Sequence, residues 1–118
     1  MPHPITWIEL PSKDPRSTQK FYHDVFGWEI KTERADQYAE FDAGNGLGGG
    51  IYPVVEMPPQ GGVTLYVYVE SIAETMEKVQ VNGGKAVGRT EEVPGGGHIA
   101  FFKDPAGNRL GLYESAKK

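Results

Sequence analysis

Hydrophobic and polar positions alternate along most of this chain, and the alternation gives way twice to helical spacing. Ile5-Thr6-Trp7-Ile8-Glu9-Leu10 is β-branched and aromatic and predicts a strand, with Pro11 ending it. Asp14 followed by Pro15 reads as a helix cap with proline in the first turn. From Arg16 to Phe26 the apolar residues Phe21, Tyr22, Val25 and Phe26 fall on one helical face, and Gly27 stops the helix. Trp28-Glu29-Ile30 and Tyr38–Asp42 predict two further strands. The turn Gly44-Asn45-Gly46 then leads into a glycine-rich strand over Leu47–Val55. Pro58, Pro59, Gly61 and Gly62 make a connector. Beyond it the pattern returns: strand Val63–Val69, helix Ser71–Asn82, stop at Gly83-Gly84, and strands at Lys85–Gly88, His98–Lys103 and Arg109–Glu114.

The return is a repeat. Trp7 and Thr64, Asp14 and Ser71, and Gly27 and Gly84 are each 57 positions apart. Ala43-Gly44-Asn45 echoes Ala106-Gly107-Asn108 at 63 positions, and Leu47 with Leu110 and Gly48 with Gly111 continue that register. A longer loop near Glu92–Gly97 accounts for the drift. Two copies of a βαβββ unit are therefore expected, about 4–56 and 62–115, within one α+β domain spanning 1–118.

Composition narrows the function classes. The 118 residues suffice for one core. The formal net charge is −4, with Lys and Arg scattered along the chain, so nucleic acid is not an expected partner. Cysteine is absent, which removes disulfides, thiol catalysis and Cys-ligated zinc. No apolar run approaches the length of a membrane span, and Met-Pro-His-Pro lacks the character of a secretory signal. A cytoplasmic location with no membrane partner is the expectation.

Two segments carry a family resemblance. Asp14, then Phe21-Tyr22, then Val25-Phe26-Gly27-Trp28 resembles the D-x6-F-Y-x2-V-F/L-G-W signature of vicinal-oxygen-chelate proteins, the glyoxalase/bleomycin-resistance/dioxygenase group. Ala100-Phe101-Phe102-Lys103-Asp104-Pro105-Ala106-Gly107-Asn108 resembles that family's A-F-x2-D-P-D-G-N segment. The resemblance implies two modules that form an open, barrel-like sheet around a small-molecule cavity, and a homodimer. Family chemistry ranges from glyoxalase isomerisation and extradiol dioxygenation to metal-free drug sequestration, so membership alone does not choose a function.

The family's metal enzymes place one ligand seven residues before each helix cap and one seven residues after the aspartate of each D-P-D-G turn. The resemblance puts these positions at Trp7, Thr64 and Gly111, and the repeat carries the last back to Gly48. Indole offers no lone pair, glycine has no side chain, and a neutral hydroxyl is a poor ligand for zinc, nickel or iron. No metal and no other cofactor is expected.

Strand parity selects the remaining candidates. Glu9 shares the face of Trp7, where a carboxylate costs free energy unless paired. It is the candidate general base or cation-binding group, or else the partner of an Arg or a Tyr hydroxyl. Thr64, Tyr66 and Tyr68 share one face of the fifth strand, and Ile99 and Phe101 look like further wall residues by resemblance. Together, Trp7, Glu9, Thr64, Tyr66, Tyr68, Ile99 and Phe101 form the expected ligand-binding set, suited to a planar or cationic molecule. His3 and His23 read as surface residues, and the parity of His98 turns it away from this set. The expected function is metal-independent small-molecule binding. The alternatives are a lyase, isomerase or dioxygenase using a divalent metal or Glu9, and a structural or regulatory dimer with a filled cavity.

Overall fold

The computed structural model describes residues 2–31, 38–58 and 62–116. The elements run β1 (Ile5–Ser12), α1 (Pro15–Phe26), β2 (Glu29–Lys31), β3 (Ala39–Asp42), β4 (Gly48–Pro53), β5 (Thr64–Tyr68), α2 (Ile72–Val81), β6 (Lys85–Glu92), β7 (His98–Lys103) and β8 (Arg109–Glu114). This is the α+β fold of two successive βαβββ modules that the repeat predicts. The chain forms two compact units, Thr6–Thr64 and Leu65–Lys118 with Met1–Ile5.

In the unit Thr6–Thr64 the strand order is β2-β3-β4-β1, with β1 parallel to β4 and the other pairs antiparallel. Pro11 does not end β1. It pairs in register with Tyr52, and the Ser12 carbonyl beyond it accepts the Val54 N–H at 2.9 Å. Proline removes one donor, and a strand tolerates it where the ladder does not need that donor. The Asp14 carboxylate caps α1 by accepting the Ser17 N–H at 3.4 Å, and the Gly27 N–H closes the helix onto the His23 carbonyl at 2.8 Å.

The resemblance motif builds the core of this unit. Tyr22 from α1 stacks on Trp28 at 5.0 Å, and Trp28 stacks on Phe41 of β3 at 4.7 Å with the ring planes 11° apart. Phe41 in turn lies over Gly49, where a Cβ would stand 2.7 Å from its ring and overlap the Ile8 carbonyl. Ala39, Phe41 and Ile51 are buried, with Ile8, Leu10, Trp28 and Ile30 packed around them. The apolar face expected on α1 is only partly used, since Phe21, Val25 and Phe26 remain 55%, 55% and 60% exposed.

The second unit repeats the order as β5-β8-β7-β6, again with the first and last strands of the module parallel and the other pairs antiparallel. Its core is Val69, Ile72, Ala100 and Leu112, with Val67, Met76 and Phe102 against it. Ser71 caps α2 by accepting the Glu74 N–H, and the Glu114 carboxylate accepts the Ile72 N–H at 2.8 Å. β6 runs on to Glu92, beyond the expected end at Gly88, because an irregularity between Val87 and Glu91 absorbs the glycine, whose φ is +70°.

The pairing corrects the repeat register. Ala39 opposes Ile51 as Ala100 opposes Leu112, each 61 positions apart. The turns agree: the Ala43 N–H donates to the Leu47 carbonyl, and the Asp104 N–H to the Asn108 carbonyl, both at 2.9 Å. The Ala-Gly-Asn echo at 63 positions is therefore a coincidence of turn-forming residues, two places out of structural register. β1 and β5 keep the offset of 57, because Glu9 sits beside Gly50 as Tyr66 sits beside Gly111. The added residues lie in the β6–β7 segment.

Among the described residues no helix is long and apolar enough to cross a membrane. Replacing Phe41 with Ala removes the middle of the aromatic stack and is expected to cost about 3 kcal/mol. Chemical denaturation checks this, and an unchanged midpoint rejects the stack as the organising contact.

Candidate functional site

α1 and α2 cover the face bearing Phe41, Ile51, Ala100 and Leu112, so the candidate residues stand on the opposite face of each unit. In the unit Thr6–Thr64 that face holds Trp7 beside Gly48, and Glu9 beside Gly50 and Glu40. Tyr38, just ahead of β3, reaches across these positions. The Trp7 Nε1–H donates to the Tyr38 hydroxyl at 2.9 Å, and that hydroxyl donates to Glu9 Oε2 at 2.8 Å. The result is a directed chain of indole, phenol and carboxylate. Burial first, and then the Glu9 charge, hold the Tyr38 phenol well above the ordinary tyrosine range. It keeps its proton and acts as a donor.

The Tyr38 ring also occupies the space above Gly50, where any Cβ would overlap it. The second unit repeats this arrangement. Tyr66, Gly111 and Phe101 are adjacent across β5, β8 and β7, and a Cβ on Gly111 would stand 2.5 Å from the Tyr66 ring and 3.1 Å from Phe101. Tyr66 is buried and meets Phe101 edge-on at 5.8 Å. Tyr68 shares the face, with its hydroxyl 3.1 Å from the Ser115 hydroxyl and its ring 6.2 Å from Tyr113, which pairs with Ile99. Thr64 is buried at the start of β5. The Arg109 guanidinium lies over Phe101 at 4.0 Å.

These positions bear directly on the family's metal. With the repeat register corrected, the equivalent of Gly111 is Gly50, not Gly48. Both last-strand ligand positions implied by the resemblance are therefore glycines with a tyrosine ring above them, and the first-strand positions are Trp7 and Thr64. This donor set does not fit a divalent ion. Among the described residues no group of three His, Cys, Asp or Glu side chains could hold one.

Two of the histidines, His23 and His98, take structural places, and His3 is exposed. The His23 Nδ1 lies 2.9 Å from the Trp28 carbonyl, and His98 pairs across strands with Glu92 and Glu114 on the helix-bearing face. Sequence reading missed Tyr38 and Arg109. Each reaches its partners by crossing strands, and no spacing along the chain announces such a contact.

A match to the Glyoxalase/Bleomycin resistance protein/Dioxygenase superfamily covers residues 4–112. The chain belongs to that superfamily. A glyoxylase-like domain-containing protein of Didymella fabae is 32% identical over 114 residues, covering 88% of each chain. Protein CFP32 of Mycobacterium bovis is 23% identical over 126 residues, and the present chain spans 44% of its length. Among solved structures, methylmalonyl-CoA epimerase from Mycobacterium tuberculosis superposes with a TM-score of 0.72 at 15% identity, over 96% of this chain and 88% of that one. At that identity the likeness speaks to the superfamily fold alone.

The raised Tyr38 pKa has a stability consequence. Its contribution is fully present below the ordinary phenol value of 10.0 and is lost as pH rises toward the higher folded value. Tyr38→Phe is expected to lose about 1–2 kcal/mol near neutral pH through the broken chain, and to flatten the alkaline decline. Urea midpoints at pH 8 and pH 11 check this. Parallel declines in the two proteins would remove Tyr38 as the titrating group.

Proposed function

We propose that this chain is a metal-independent small-molecule-binding protein of the glyoxalase/bleomycin-resistance type. The observation that supports it is the pair of tyrosine rings, Tyr38 over Gly50 and Tyr66 over Gly111, at two positions where the family resemblance implies metal ligands in the metal enzymes. A ring held over a glycine offers a ligand flat, polarisable surface with a hydroxyl at its edge. The first unit presents Trp7, Tyr38 and Glu9 on its helix-free face, and the second presents Phe101 and Tyr68 beside the buried Tyr66. Recognition then rests on stacking and on a few fixed polar groups, with no ion to polarise the bound molecule.

One observation favours a second reading. Tyr38 holds Glu9 Oε2 in a fixed position within a part-buried network, and a carboxylate so oriented suits metal-free proton transfer in an enzyme of the epimerase or isomerase kind. Glu9→Gln separates the two readings. It abolishes proton transfer, whereas a binder keeps its affinity for neutral ligands within a few-fold.

The deciding experiment is metal analysis after purification without chelator and after incubation with nickel, zinc, iron and manganese followed by desalting. Well under one ion per chain for every metal is the expected result. One tightly held equivalent of any ion would overturn metal independence and make a metal enzyme the leading reading.

A further inference from the structure

The helix-free face of the second unit carries a row of cations that the chemistry above does not use. Lys85 opposes Lys103, and Lys103 opposes Arg109, so three positive side chains from β6, β7 and β8 stand side by side. All three are exposed. Among the described residues none of them has a carboxylate within ion-pair distance, and the Asp104 carboxylate next in sequence is engaged by the Ala106 and Asn108 N–H groups. Glu91, opposite Ile99 on the same strands, stands two rows away, on the order of 13 Å along the sheet. Like charges directly opposite one another on a sheet are destabilising, and this chain, with a net charge of −4, has acids to spare.

The fold does not require these charges. The structurally equivalent row of the first unit is Glu29, Asp42, Gly48 and Trp7, acidic where the second is basic. The next row along the second sheet is Val87, Phe101, Gly111 and Tyr66, an apolar and aromatic shelf. The Arg109 guanidinium carbon stands over that shelf, 4.0 Å from the centre of the Phe101 ring. Contact with the ring restricts the side chain, and a guanidinium is the group that recognises a carboxylate or phosphate through paired N–H donors. It also covers the Phe101 face that a cationic ligand would need, against the cationic option expected from sequence.

We propose that Lys85, Lys103 and Arg109 form an oxyanion subsite, and that the small molecule bound here carries a phosphate or carboxylate on a planar group lying against the Arg109–Phe101 pair, beside the buried Tyr66. This rests on the binding-protein reading and names the class of ligand. Calorimetry and NMR titration with phenyl phosphate, benzylamine and a ten-residue oligothymidine test it on the whole chain. Phenyl phosphate is expected to bind and shift resonances of Phe101 and Tyr66. Affinity should fall at least tenfold in Arg109→Gln and in Lys103→Gln and stay unchanged in Lys13→Gln, while Lys103→Gln melts no lower than the parent protein. Affinity equal to the parent protein's in the Arg109 and Lys103 variants overturns the subsite, as does tighter binding of the oligonucleotide. Saturable binding of benzylamine alone overturns the anionic class but leaves a small-molecule binder. Saturable binding of none of the three overturns the subsite and removes the support it lends to the binding reading.

Discussion

An aromatic ring laid over a glycine is the contact on which both the core and the candidate site depend. β4 carries Gly48, Gly49 and Gly50 in succession, and two of them have a ring above them: Phe41 over Gly49 on the helix-bearing face, Tyr38 over Gly50 on the other. Glycine in a strand interior costs roughly 0.5–1 kcal/mol. Burying one aromatic side chain removes 150–250 Å² from water, worth roughly 4–6 kcal/mol as an upper bound. The ring outweighs the glycine by a clear margin. Any side chain at Gly49 would push against the Ile8 carbonyl and separate β1 from β4, so the strand pairing and the stack of Tyr22, Trp28 and Phe41 stand or fall together.

The same packing leaves no room for a side chain at Gly50. A carboxylate ligand at Gly50 and the Tyr38 ring compete for one volume, and Tyr38 is tied into place by Trp7 on one side and Glu9 on the other. Installing a carboxylate at Gly50 would therefore displace the ring, strand the indole N–H and release Glu9. At Gly111 the exclusion is similar, because Tyr66 is buried against Phe101 and leans over the same backbone. The exclusion of a larger side chain at Gly50 and Gly111 is thus built into two packed clusters. One substitution does not undo it.

Much of the fold is legible in the chain because its signals are local. The caps at Asp14 and Ser71, the stop at Gly27 and the alternating runs of β7 and β8 lie within a few residues of what they control, and these elements fall where expected. The repeat was legible too, but its register was not. Turn residues recur because turns need them, so Ala43-Gly44-Asn45 and Ala106-Gly107-Asn108 align as text while the backbone aligns them two places apart. The candidate site was read less completely for a related reason. Parity along one strand places Trp7 and Glu9 on a common face, yet it cannot reveal that Tyr38 crosses to join them. Lys85, Lys103 and Arg109 look scattered along the chain and become a row only once three strands are in register.

The two modules have kept their pairing and inverted the charge of one cross-strand row. With an offset of 61, Asp42 becomes Lys103, Glu40 becomes Phe101 and Gly48 becomes Arg109, while Ala39 with Ala100 and Ile51 with Leu112 stay nearly constant. The constant positions face the helix and the changed ones face away from it. A core position is held by volume, since an added or lost methylene in a close-packed interior is felt at once. A position on the open face is free of that constraint, and drift there should scatter charges of both signs. Three cations aligned in one module and two acids in the equivalent row of the other depart from such scatter. Side-by-side like charges also oppose folding, so an ordered segregation of this kind needs a compensating interaction that the isolated sheets do not contain. An oxyanion seated over the basic row would supply that interaction in the second module, and its binding free energy would offset the repulsion that the free protein carries.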